Sequence, residues 1–136
     1  MTAHDNDALP WERLIEAARQ AYQRAYAPYS GRRVGAALLG ASGAIHSGCN
    51  VENASYGLTV CAERSAVSRA VGEGEREFKA IVVANDGGDI MMPCGACRQV
   101  LLEFTPDIQV CCVDRDGRTV RARLGELLPE PFPSRR

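Results

Sequence analysis

The chain has 136 residues, 46% apolar and 24% charged, with a formal net charge of −1. That length buries one hydrophobic core and falls short of two, so residues 1–136 are expected to form a single domain, with 1–9 and 130–136 as tails outside it. No window approaches the roughly 20 apolar residues that span a bilayer, and the chain lacks the basic excess that grips phosphate backbones, so neither a membrane nor a nucleic-acid polymer is an expected partner.

Residues 1–10 are polar and acidic, without the basic start and apolar stretch of a secretory signal, and the expected location is the cytoplasm. From 10 to about 26, Trp11, Leu14, Ile15, Ala18 and Tyr22 recur at helical spacing behind a proline suited to a first turn. Turn residues at 27–31 interrupt the pattern. A short apolar run at 34–39, a Gly-bounded turn at 40–43 and a second run at 44–49 predict two strands of a hairpin. Small and apolar residues recur at three and four over 59–71, predicting a helix with Cys61 in its first turn. A buried strand at 78–84, a Gly-rich loop at 85–89 and a helix announced by Pro93 follow. A strand at 109–113, a turn at 114–117, and a last short strand and helix complete the core. The order implies an α/β fold, with a mixed sheet carrying helices on its faces.

Six cysteines stand at 49, 61, 94, 97, 111 and 112. In a chain without export signals they read as metal ligands or buried thiols before disulfides. Cys94 and Cys97, three apart at a helix start, bring both thiols to one helix face. A C-x-x-C pair fits zinc and a redox couple alike, so a third ligand decides. Cys61 opens another helix, and C-A-E puts Glu63 two residues beyond the sulfur. Three protein ligands leave a place open on a tetrahedral ion, as in catalytic zinc sites. His4 and His46 lack ligand spacing and read as solvated side chains. Three thiolates make a net negative site, offset by helix N-termini worth roughly half a positive charge each. Arg64 and Arg98 lie close in sequence, and at least one is expected to hydrogen-bond a ligand sulfur. Zinc brings the pKa of water toward neutrality, and a carboxyl beside it carries protons to a ring nitrogen and a departing amine. Glu63 suits that task.

C-A-E followed by P-C-x-x-C resembles the three-cysteine form of the zinc nucleoside deaminase signature. The stretches G-C-N-V-E-N-A-S-Y-G-L-T-V-C-A-E-R-S-A-V and P-C-G-A-C-R-Q-V-L-L-E-F, with A-P-Y-S, V-G-A-A-L and E-L-L-P, are similar to the homotetrameric cytidine deaminases over most of the chain. The resemblance implies a three-layer α/β/α sandwich on a mixed five-stranded sheet, and one Zn2+ per subunit held by Cys61, Cys94 and Cys97. It implies hydrolytic deamination of cytidine and 2′-deoxycytidine to the uridines in pyrimidine salvage. Glu63 would shuttle protons, Asn50 and Glu52 would bond the sugar hydroxyls, and the Ala62 main chain would lie against the base. Arg64 and Gln99 would support the zinc shell, and Tyr56 and Phe132 would approach from neighbouring subunits of a homotetramer. The family's aromatic base-stacking position is Arg32 here, so either a guanidinium plane takes that place or an aromatic arrives from elsewhere.

The metal motif alone also fits a free base, an aminonucleoside or cytosine in a polynucleotide as substrate, and N-V-E favours the free nucleoside. A zinc-stabilised module without catalysis would need a fourth ligand from Cys49, Cys111 or Cys112. Met91 and Met92 read as loop packing and Trp11 as core.

Overall fold

The computed structural model describes residues 8–132. Most of both expected tails, with His4, lies outside them. Leu9 nevertheless packs against the core, and the Phe132 main chain is held in place by Gln99.

The first helix, α1, spans Trp11–Tyr22. It stops short of residue 26 because the Tyr26 amide donates to the Asn50 carbonyl at 3.0 Å instead of to its own turn. The elements that follow are β1 (Val34–Gly40), β2 (Ile45–Cys49), a 3-10 turn (Tyr56–Leu58), α2 (Ala62–Gly72), β3 (Phe78–Asn85), α3 (Gly95–Leu102), β4 (Gln109–Val113), β5 (Thr119–Arg123) and α4 (Leu124–Leu127). Helix α2 begins three residues later than expected. Val60 is already committed, exchanging both main-chain bonds with Val51 at 2.9 Å.

The five strands lie in the order β2-β1-β3-β4-β5, antiparallel except for β3 with β4. Alternate residues of the central strands face opposite layers. Ala36, Leu38, Ile81, Val83, Val110 and Cys112 pack with Ala66, Val67 and Ala70 of α2 and Leu101 of α3. Ala37, Leu39, Ala80, Val82, Cys111 and Val113 meet Trp11, Leu14 and Ala18 of α1. Three layers result, each fully buried Leu or Ile contributing roughly 1.5–3 kcal/mol. Strands covered on both faces read as continuous apolar runs, which is why β1 and β4 stand out in the sequence.

Register also gathers the site. Val34 pairs with Asn85 and Gly35 with Cys49. The entry to β1, the exit from β2 and the loop after β3 therefore meet at one end of the sheet, bringing Arg32, Asn50, Glu52 and residues 86–94 together. Gly48 lets α2 lie directly on β2, since a Cβ there would collide with the Ala66 amide nitrogen.

Candidate active site

Cys61 and Cys94 are the N-caps of α2 and α3, in extended backbone at φ −70°, ψ 154° and φ −67°, ψ 165°. Both were expected inside the first turns of their helices. As caps, their carbonyls take the first helical bonds, from Ser65 and Arg98 at 3.0 Å, and their thiols stand at the positive helix ends. The Cys94 and Cys97 sulfurs are 3.2 Å apart, and those of Cys61 and Cys94 are 3.9 Å apart. All three lie within 4.8 Å of one another, and among the described residues this metal-capable group has no fourth member. Cys111 and Cys112 point into opposite core layers instead. Three soft sulfurs converging without a closing fourth ligand fit zinc with an open coordination place.

The expected arginine contact is made by Arg64, whose Nη2 donates to Cys61 Sγ at 3.8 Å and to the Thr59 carbonyl at 3.1 Å. Its Nε is buried without a hydrogen bond. Arg98 is engaged elsewhere, donating to the Pro93 carbonyl at 2.7 Å and the Leu127 carbonyl at 2.8 Å. A hydrogen bond with Cys97, reinforced by Arg64, draws the Cys61 thiol down to about 5 against the effect of burial. The hydrogen bond with Cys61 and burial push Cys97 the other way. Glu63, 5% exposed on the first turn of α2, has its carboxyl raised above the usual range by burial and then by the negative Cys61.

A cavity of about 270 Å³ opens over Cys61, Glu63 and Cys94. Asn50, Glu52 and Ala62 also line it. Asn50 is anchored at both ends of its amide: Oδ1 accepts the Val34 N–H at 2.9 Å, and Nδ2 donates to the Arg32 carbonyl at 2.9 Å. Glu52 Oε1 accepts the main-chain N–H groups of Tyr29 at 2.9 Å and Ser30 at 3.1 Å, and Oε2 accepts the Ser30 hydroxyl. The Ser30 hydroxyl leads in holding this carboxyl below its usual range. An amide and a carboxylate fixed in this way keep spare hydrogen-bonding capacity for a sugar hydroxyl.

Tyr56, expected at a neighbouring subunit's site, lies outside the cavity of its own chain; it is 78% exposed, edge-on to Tyr29 at 6.3 Å, in an adjoining cleft that shares Ser30, Glu52 and Thr59. The Gln99 amide is taken up by Phe132, accepting its N–H at 3.0 Å and donating to its carbonyl at 3.2 Å. Among the described residues it makes no hydrogen bond to a ligand sulfur. His46 is not solvated: it is 4% exposed, between Glu75 at 3.4 Å and Glu73 at 3.6 Å. Met91 and Met92 belong to the cavity lining as well as to the loop packing, and nothing in their spacing signals this.

A metal group with an open place, and beside it a carboxyl that burial keeps protonated to higher pH, is the equipment of a metal-assisted hydrolase. Comparison with known proteins narrows the class. Residues 10–113 match the family model described as the cytidine and deoxycytidylate deaminase zinc-binding region. A probable cytidine deaminase from Dictyostelium discoideum is 52% identical over 122 residues, which cover 89% of this chain and 82% of the relative. The crystal structure of cytidine deaminase from Burkholderia pseudomallei superposes with a TM-score of 0.87 at 46% identity, covering 91% of this chain and 100% of that one. The cytidine deaminase of Mycobacterium tuberculosis gives a TM-score of 0.82 at 41% identity over 93% of this chain and 99% of that one. The chain belongs to the cytidine deaminase family.

Proposed function

We propose that this chain hydrolyses cytidine and 2′-deoxycytidine to uridine and 2′-deoxyuridine, releasing ammonia, as a pyrimidine salvage enzyme with one Zn2+ per subunit. The observation that carries the reading is that the three thiols, the buried Glu63 and the anchored Asn50 and Glu52 all border one cavity. Cys61, Cys94 and Cys97 hold the metal, which supplies Lewis acidity that brings the pKa of water toward neutrality. Glu63 accepts a proton from water as it adds to C4 of the pyrimidine and passes it to N3; it then takes the proton of the new C4 hydroxyl and passes it to the amine, which leaves as ammonia as the C4–N bond breaks and the carbonyl forms. Burial suits it to this cycle, because a raised carboxyl pKa is matched to work near neutral pH. Asn50 and Glu52 take the sugar hydroxyls, the Ala62 main chain lies against the base, and Arg64 steadies Cys61.

The reading extends to a homotetramer in which Tyr56 reaches a neighbour's site. Tyr26, Tyr29, Tyr56 and Leu58 are each more than half exposed, an apolar grouping of the kind that association covers. Light scattering is expected to return four chain masses. All six cysteines are free thiols, which supports a reducing, cytoplasmic setting. Among the described residues no helix is long and apolar enough to cross a membrane.

The decisive experiment compares wild type with Glu63→Gln in zinc content and in loss of cytidine absorbance. The variant is expected to keep its metal and lose about 10²–10⁴-fold in kcat. Equal turnover in the two proteins would remove Glu63 from the mechanism.

A further inference from the structure

The proposed substrate presents a flat heteroaromatic ring, yet among the described residues no side chain lining the cavity is aromatic. Val34, Val83, Met91 and Met92 supply apolar contact, and the cation of the lining is Arg32. Its guanidinium is fixed on two sides. Nη1 pairs with Asp89 Oδ1 at 3.0 Å, and Cζ and Nε lie so close to Gly87 that a Cβ there would stand 3.0 Å from each. Any larger residue at 87 would push the guanidinium away.

The supports are themselves fixed. The Gly87 N–H donates to Asn85 Oδ1 at 2.7 Å, and Asn85 Nδ2 donates to the Asp89 carbonyl at 2.9 Å. The Arg32 main chain is held as well, with its N–H on Ser30 Oγ at 3.0 Å and its carbonyl accepting from Asn50 at 2.9 Å. Pairing with Asp89 offsets the charge that would otherwise draw an anion. The guanidinium that borders the cavity is planar, and such planes stack on aromatic rings.

Resting on the reading of this cavity as a pyrimidine nucleoside site, we propose that Arg32 is a specificity-determining residue whose guanidinium, positioned by Asp89 and Gly87, is the planar wall on which the base stacks. Stacking holds ground state and transition state alike, so its loss appears in KM rather than kcat.

The test is steady-state kinetics on cytidine with zinc-loaded wild type, Arg32→Ala, Arg32→Lys, Arg32→Phe and Asp89→Asn, each with its thermal midpoint. Arg32→Ala is expected to raise KM about tenfold while kcat moves less than about twofold. Arg32→Lys keeps charge without a plane and is expected to stay with alanine. Arg32→Phe keeps a plane without charge and is expected to recover most of the loss. Asp89→Asn, which frees the guanidinium, is expected to raise KM about threefold. Recovery by lysine and not by phenylalanine overturns stacking in favour of an anion contact, and an unchanged KM in Arg32→Ala overturns any role for the wall. Should Arg32→Ala fail to fold, the lysine–phenylalanine contrast and Asp89→Asn decide alone. A wild type that does not deaminate cytidine defeats the underlying reading instead. Calorimetric binding of pyrimidine nucleosides to wild type and Arg32→Ala then tests the wall separately, equal affinity overturning it.

Discussion

At the Cys61 sulfur, one guanidinium contact does two things: it offsets the charge of a three-thiolate group, and it ties that group to the turn at Thr59. Arg64→Ala removes both. Zinc affinity is expected to fall about 10–100-fold, read by competition with a chromophoric chelator at constant pH; an unchanged affinity would mean that the helix N-termini compensate the charge unaided. Asn50 carries a comparable double load, since its amide satisfies the Val34 N–H inside the fold. Asn50→Ala is expected to raise KM for cytidine and to cost about 1–3 kcal/mol of stability by leaving that amide unpaired. Urea unfolding beside kinetics separates the two, and a shift in KM without any loss of stability would contradict the anchoring role. The grouping of the three thiols with Glu63 was legible in the sequence because C-A-E and C-x-x-C are local motifs, whereas Asn50 and Glu52 were marked out by the family resemblance of N-V-E. The Gln99 clamp on Phe132 was not legible, nor was the burial of His46, because their partners lie 33 and 29 positions away.

Among the elements, α2 carries Cys61 as its cap and Glu63 on its first turn, so where it rests on the sheet sets where the chemistry sits. Gly48 fixes that height. A Cβ at 48 would press on the main chain at Ala62 and Ala66, and backbone cannot swing aside as a side chain can. Gly48→Ala is therefore expected to cost about 1–3 kcal/mol and to weaken zinc binding together with stability. Lost stability with unaltered metal affinity would show that α2 shifts as a whole without disturbing its first turn. The kind and order of the main elements were readable, since doubly covered strands and helical stripes leave plain patterns. Helix ends were not. Tyr26 leaves α1 to bond Asn50, and Val60 delays α2 by pairing with Val51, and both choices depend on chain folded back from elsewhere. Strand order is hidden for the same reason, since alternation records which residues are covered but not which strand lies alongside.

Across the whole molecule, acidic groups join segments that the core does not hold. Asp86 pairs with Arg33 at 2.9 Å, joining the loop after β3 to the entry of β1. Asp114 accepts from Arg118 at 2.7 Å and from two main-chain N–H groups of the β4–β5 turn, and Arg118 reaches on to the Gly88 carbonyl. Burial alone would raise both carboxyls, but Arg33 at Asp86, and Arg118 with the turn amides at Asp114, outweigh it and hold them below the ordinary aspartate value of 3.8. A carboxyl whose pKa is lower folded than unfolded stabilises fully above the unfolded value, and that contribution fades as pH falls through the folded one. Stability from these groups should therefore be level from neutrality down to about pH 4 and decline below it. Acid also protonates the thiolates and releases metal, so wild type alone cannot isolate the effect. Asp114→Asn can, because both proteins share the metal contribution. The variant is expected to melt lower at neutral pH, with the gap in thermal midpoint closing as pH drops below about 4. A gap that stays constant down to the acid limit would mean that Asp114 holds the turn through hydrogen-bonding shape, with its charge contributing nothing.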